Sequence, residues 1–479
     1  MELPITDFLT LSYRELEEMN LESKEKRRNR AKLDVEKIEK EYREYLEKED
    51  RIKAVTVAFS DLEGRFHMLD YDKKYLLNSS TNLTFDGSSV RGFTSVDGSD
   101  LRLKLDWPSF YWLPANIFGS GKVVVFADIC TGDGKICSSD FRARLKEYVT
   151  DLYNKKGYEI NIGNELEGFL FEGLDAEVRY TERKGFKPIS SGGYYHSLPK
   201  DKLRLFIDST AEVQRALGFE NEKDHPEVAP SQFELNYKYS DVINAADQIQ
   251  LYKLVARQVA ENMNATACFL PKPLAGINGS GMHTNISIFK NGKNQFFDSK
   301  GKNSMSKMAI NFSDRILENA TDISLILNSS VNAYRRLDPR FEAPNQIKFS
   351  PSDRTSMIRL PLGNENSIRL EVRSVGPDSN PYLLIYSLIK VGLEAPKKEV
   401  ESKKRLRTRT LPGNIYDALR AFKSSDLIAK IIGESVRDKY ADLKEATANR
   451  SPKELGKTVK KSEVIYHHEV TNQYIWNKF

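Results

Sequence analysis

Cysteine is scarce in this 479-residue chain: there are three, Cys130, Cys137 and Cys268. An odd number without ligand-like spacing excludes a disulfide framework and fits a reducing compartment. No stretch approaches the roughly 20 apolar residues of a membrane span, and the opening MELPITDF lacks a basic region followed by an apolar run. An excess of one charge is missing too. Lys plus Arg number 73 against 68 Asp plus Glu, a net +5, which is too slight at this length to argue for a polyanion partner. A soluble cytoplasmic protein with no membrane or nucleic-acid partner is expected.

What is present suffices for a large core: 39% hydrophobic and 10% aromatic residues over a length that favours two or more domains. Residues 11–50 are dense in Glu, Lys and Arg, with Leu33, Val35, Ile38, Tyr42 and Tyr45 spaced as a helical stripe. They read as one long amphipathic helix, a charged extension over 1–50. Its KEKRRNRAK run at 24–32 reads as a solvated face laced with ion pairs. From Ile52 the texture turns to short strands through KAVTVAF, FDGSSVRGF and KVVVFADI, giving a small β-rich domain over 51–138. Helical patterns such as DFRARLKEYVTDLYNKKG then alternate with strands in a body over 139–479. A charged stretch at 397–413 reads as an exposed linker into a helical tail.

Four segments of the body place polar residues on alternate positions: NELEGFLF at 164–171, QFELNYKY at 232–239, HTNISIF at 283–289 and IRLEVRSV at 368–375. Side chains alternate faces along a strand. Glu165 and Glu167 therefore share a face, as do His283, Asn285 and Ser287, and Arg369, Glu371 and Arg373. Each such strand alone is the ordinary pattern of a half-solvated sheet. Together they gather carboxylates and an imidazole from distant segments, and paired carboxylates on one face repel unless a cation or a proton lies between them. Carboxylate oxygens with one imidazole suit Mg or Mn.

These segments, with FDGSSVRGF at 85–93, GGYY at 192–195, HPEVAPSQFE at 225–234, NGSGMH at 278–283, RRLDPRFEAP at 335–344 and SDRTSMIRLP at 352–361, resemble the bacterial and archaeal glutamine synthetases, in that family's order. The resemblance implies an α+β protein: an N-terminal β-grasp domain, then a catalytic α/β domain with a curved antiparallel sheet, assembled in rings as a homo-oligomer, a double-ring dodecamer. It implies an ATP-dependent glutamate-ammonia ligase. One Mg or Mn ion would be held by Glu167, Glu227 and Glu234, the other by Glu165, His283 and Glu371. Arg336 and Arg373, with Asn278 and Gly279, would bind glutamate. Arg354 and Arg359 would lie on the phosphates of ATP, while Tyr239, Asn285, Ser287 and Arg369 would line the nucleotide site. Asp86 would be the base toward ammonium in a pocket with Ser89, Tyr194 and Glu227, and would reach it from a neighbouring subunit. Glu342 would belong to a flap closing over the intermediate.

Departures accompany the resemblance. Asn164, Leu166 and Gly168 replace the usual residues around the two glutamates, Ser231 stands where glycine usually precedes Gln232, and Ser352-Asp353 replace Arg-Asn. The tyrosine motif adenylylated in some members is missing, and the extension before residue 50 has no counterpart. Two other readings stay open: a γ-glutamyl ligase for a larger amine, and a non-catalytic relative, whose signature would be a lost metal ligand.

Overall fold

The computed structural model describes residues 9–454 apart from 29, 96–97, 175, 177–184, 197–200, 342, 362 and 397–408. Runs rich in Val and Phe make the centre of a first sheet: β1 (Ala54–Ser60), β2 (Phe66–Asp72), β3 (Leu83–Asp86), β4 (Asp100–Trp112) and β5 (Val123–Cys130), ordered β2-β1-β5-β4-β3. Only β1 and β5 run parallel. Strand alternation divides their apolar side chains between two cores. Val55, Val57, Phe59, Val123 and Val125 enter one, with the N-terminal extension. Ala58, Val124 and Phe126 enter the other, with the body of the chain.

The extension is not one helix. Tyr13–Arg27 (α1) is capped by Ser12 in a reciprocal box with Glu15, and Val35–Lys48 (α2) is capped by Asp34; a short turn at Arg30–Lys32 separates them. On α2 the buried stripe is Ile38, Tyr42 and Leu46, while Val35 is exposed. The 24–32 run is a solvated face only in part: Lys26 and Arg28 pair with Glu22 and Glu25 at the surface, whereas Lys24, Arg27 and Arg30 turn inward. Lys24 and Arg27 are buried, Lys24 donating to Glu220 at 2.9 Å and Arg27 to Asn244 at 3.2 Å. Arg30, its side chain 8% exposed, grips Asp106 at 2.7 Å. Basic residues that look like surface charge thus bind the extension to the sheet and the body. Deleting residues 1–48 is expected to lower the thermal midpoint, because Ile38, Tyr42 and Leu46 alone bury about 1.5–3 kcal/mol each. An unchanged midpoint by calorimetry would refute this; light scattering on the same sample reads any change of assembly.

The body is built on a second, curled sheet of ten strands among the described residues. In chain order these are β6 (Glu159–Glu172), β7 (Asn221–Pro226), β8 (Gln232–Tyr237), β9 (Ser240–Asp241), β10 (Ala265–Cys268), β11 (Met282–Lys290), β12 (Lys293–Asn294), β13 (Gln346–Ser350), β14 (Ser356–Arg359) and β15 (Leu370–Val372). The main path is β13-β14-β15-β11-β6-β8-β7, with β9 and β10 also on β6 and β12 on β11. The pairing is antiparallel throughout except for β13 with β14, a departure from an all-antiparallel sheet. Helices cover its apolar face, among them Phe141–Lys156, capped by Asp140 and ended by Gly157 in the left-handed region, and Val242–Asn262. The expected linker at 397–413 lies largely outside the described residues. Its end is not free, since Ile347 donates to Arg409 and Leu411 to Asn345.

Candidate active site

Sheet register brings the alternating residues into one layer. On β6, Glu165 is paired directly with His283 of β11 and Glu167 with Glu234 of β8, while Asn285 of β11 lies opposite Glu371 of β15. The ladder of β15 is short, so Arg369 and Arg373 flank it rather than belong to it.

Glu165, His283 and Glu371 form one group whose donor atoms lie within 4.8 Å of one another. His283 Nδ1 is 3.3 Å from Glu165 and 3.5 Å from Glu371. Glu371 is fully buried, its two oxygens accepting from Arg359 at 2.5 Å and Arg373 at 2.6 Å. Arg369 donates to Asn285 at 3.0 Å, and Asn285 donates in turn to Glu165 at 3.0 Å. Burial alone would raise the Glu165 carboxyl, but the hydrogen bond and charge of His283, then Asn285 and Arg369, outweigh it and hold it at about 2.

A second group joins Glu227 and Glu234 with His225, a residue the sequence did not single out. Glu167 stands between the groups: it accepts from the backbone N–H of Gly281 at 2.9 Å and from Gln232 at 3.2 Å, and lies 4.0 Å from His283. Burial, then the charges of Glu167 and Glu234, pushes the Glu227 carboxyl up to about 9. Three carboxylates this close cannot all ionise unless positive charge joins them.

Glu165 and His283 of the first group and all three residues of the second line a cleft of about 650 Å³, with Glu371 buried behind them. Arg336, Arg354, Arg359, Arg369 and Arg373 line it, with Asn278, Gly279, Asn285, Ser287, Tyr194 and Tyr239. Arg336 is buried and ties the floor together, donating to Val375 O at 3.1 Å and Arg373 O at 3.0 Å. Glycine is required beside it. A Cβ on Gly279 would sit 2.3 Å from Pro271 O, and one on Gly281 2.4 Å from an Arg336 nitrogen.

Comparison with known proteins adds the decisive observation. Residues 51–132 match the family model described as the β-grasp domain of glutamine synthetase, and residues 138–460 match that of its catalytic domain. A glutamine synthetase of Clostridium saccharobutylicum is 35% identical over 421 residues, spanning 84% of this chain and 93% of that protein. One from Staphylococcus aureus is 33% identical over 416 residues, or 83% and 91%. The chain belongs to the glutamine synthetase family. Among solved structures, a Plasmodium falciparum glutamine synthetase superposes with a TM-score of 0.77 at 22% identity, covering 89% of this chain and 98% of that one. A GmaS in complex with ADP gives 0.74 at 24%, covering 86% and 97%. Both likenesses concern the fold. It is the α+β arrangement expected, a β-grasp domain followed by a catalytic domain with a curled sheet.

Against this glutamine synthetase frame, Asp86 and Ser89 do not line the cleft of their own chain. Asp86 caps a turn, accepting from Ser88 and Ser89. Tyr194 does line the cleft, 42% exposed, with its hydroxyl donating to that of Tyr195 at 2.8 Å. The ring of Tyr195 packs edge-on against His225. Glu342 lies outside the described residues. The substitution at Ser231 has a local account: this buried residue holds φ +61°, the region glycine favours. Its hydroxyl accepts from the backbone N–H groups of Ile189 at 2.6 Å and Ser190 at 2.8 Å, which offsets the conformational cost. His225 lies near the end of β7 opposite Glu234 of β8, and because Glu227 falls just beyond that strand no period-two spacing marked it in the sequence.

Proposed function

We propose that this protein joins ammonia to the γ-carboxylate of L-glutamate at the expense of ATP, giving glutamine, ADP and phosphate. What supports the reading most is that two carboxylate-imidazole groups and five arginines converge on one cleft in a chain of this family. A carboxylate is a poor electrophile, so the γ-phosphoryl group of ATP passes first to the γ-carboxylate oxygen, and ADP leaves. Ammonia then attacks the carbonyl carbon of γ-glutamyl phosphate, a C–N bond forms, and phosphate departs. Both steps depend mainly on positioning and charge neutralisation.

The chemistry of both donor sets fits divalent cations. Glu165, His283 and Glu371 would hold one Mg or Mn ion, and Glu227 and Glu234 with Glu167 or His225 the other. Bound there, such ions supply positive charge to the phosphoryl oxygens and template their approach. Arg336 and Arg373 hold the glutamate carboxylate by parallel N–H donors, beside Asn278 and Gly279. Arg354 and Arg359 lie along the phosphates, while Tyr239, Asn285, Ser287 and Arg369 form the nucleotide end. Asp86 and Ser89, presented by a neighbouring subunit of a ring-shaped homo-oligomer, complete a small anionic pocket with Tyr194 and Glu227. That pocket captures ammonium and removes its proton. Glu342 is assigned, from the family resemblance alone, the role of shielding the intermediate from water.

A ligase for a larger amine is the second reading, favoured by the exposure of Tyr194 at the amine end. The two part in one assay. With ATP, Mg and glutamate, ammonium is expected to give the highest kcat/KM among ammonium, methylamine, ethanolamine and polyamines, read as phosphate release. Faster turnover of any of the others assigns the protein to the second reading.

A further inference from the structure

The segment that carries Asp86 is held from the far end of the chain. Two arches of the β-grasp region stack on one another. In the lower one, residues 60–64, Gln250 donates to Ser60 at 2.8 Å and to Gly64 O at 2.9 Å, and Asn380 donates to Asp61 O at 3.2 Å and Leu62 O at 3.1 Å. The upper arch, residues 86–93, rests on it. Leu62 N–H donates to Arg91 O at 3.3 Å, and Gly92, at φ +79°, lies so close that a Cβ there would be 2.5 Å from Leu62 Cβ.

Between the arches sits Glu63, its side chain 5% exposed. One carboxylate oxygen accepts from Lys444 at 2.8 Å, the other from Arg91 at 2.9 Å. Lys444 is 1% exposed and belongs to the helix Glu434–Glu454; five residues earlier, Lys439 donates to Phe93 O at 2.7 Å. Burial alone would raise the Glu63 carboxyl, yet Lys444 and then Arg91 outweigh it and hold it at about 2. The Glu63 carboxylate is therefore ionised throughout the working range. A lysine this deeply buried needs its partner, and that partner's other oxygen is spent on the upper arch.

We propose that Lys444, through Glu63 and Arg91, is a positioning residue for the amine half-reaction: the C-terminal helix sets where the 86–93 arch presents Asp86. This rests on the reading of Asp86 as the ammonium base. Neither Lys444 nor Glu63 touches the cleft, so their effect falls on whatever Asp86 does and on nothing that glutamate or ATP requires. A displacement of about 1 Å at a reacting group can cost up to about 10²-fold.

The test uses the full-length protein with Lys444→Met, which keeps the length and removes the charge. Its KM for ammonium is expected to rise about tenfold or more. KM for glutamate and ATP should stay within about twofold, as should ammonium-free, glutamate-dependent ADP formation in a single turnover. Lys444→Arg, which preserves the ion pair, should restore the ammonium KM. An unchanged ammonium KM, or a loss shared equally by the ammonium-free step, overturns the proposal. If Lys444→Met fails to fold, Arg91→Met breaks the same bridge at its partly exposed end and decides by the same split. Asp86→Ala is run alongside: undiminished amide formation there sinks the base reading, whereas an impaired Asp86→Ala beside an unaffected Lys444→Met sinks the positioning role alone.

Discussion

Asp86→Ala is expected to slow amide formation by about 10² to 10⁴, the usual range for a lost general base, while glutamate-dependent ADP formation without ammonium changes little. The structure adds a detail to that expectation. The serine hydroxyls of Ser88 and Ser89, with the Ser88 N–H, hold the Asp86 carboxyl below the usual carboxylate range. Such a group stays ionised and attracts a cation well, but it is a weak acceptor of protons. Capture of ammonium should then be at least as sensitive as its deprotonation, so Asp86→Asn, which keeps the shape and removes the charge, should raise the ammonium KM as well as lower kcat. Separate measurement of the two constants decides. A variant that loses kcat alone would assign Asp86 to proton transfer only, and one that loses neither would remove it from the reaction.

Glu371 is the second position where a large effect is expected, and there the choice of substitution matters. Its carboxylate has no exposure and joins Arg359, Arg373 and His283. Removing one partner of such a buried cluster leaves uncompensated charge and costs about 3–5 kcal/mol, so Glu371→Ala would combine lost chemistry with lost stability. Glu371→Gln keeps the volume and one acceptor. It is expected to abolish glutamine formation to below about 1% of wild type, since the site loses both a proposed anionic metal ligand and the anchor of two arginines that face the cleft. Titration with Mn, followed by electron paramagnetic resonance, should show one fewer tight site per chain than wild type. Retained activity with both tight sites intact would remove Glu371 from the metal-binding set.

Much of the site was legible because it is written in period two. Glu165 and Glu167 on β6 and His283 and Asn285 on β11 are single-strand alternations, and antiparallel pairing places them side by side with no further information. Arg369 and Arg373 were legible for the same reason, even though only Leu370–Val372 is in the ladder. What the pattern could not convey was anything set by three-dimensional enclosure. Lys24, Arg27 and Arg30 read as surface charge because burial of a basic residue depends on partners far along the chain, here Glu220, Asn244 and Asp106. The break between α1 and α2 was hidden by the same charged texture, which contains neither glycine nor proline to mark it. His225 was missed because a lone imidazole next to proline carries no signal until the neighbouring strand brings Glu234 opposite it.

The placement of Glu165 and Glu167 on one strand has a metric consequence. Their Cα atoms are separated by a single pleat repeat, roughly 6.5–7 Å, and each is paired to a different flanking strand. The backbone of β6 thereby acts as a ruler between the two charge centres. Side-chain rearrangement can tilt the marks on that ruler but cannot lengthen it, which suits the proposed reaction, where a phosphoryl group would travel a fixed short distance. The same ruler is brittle: inserting or deleting one residue between Asn161 and Glu165 would turn every marked side chain to the opposite face, emptying the cleft of both acids without altering a single ligand.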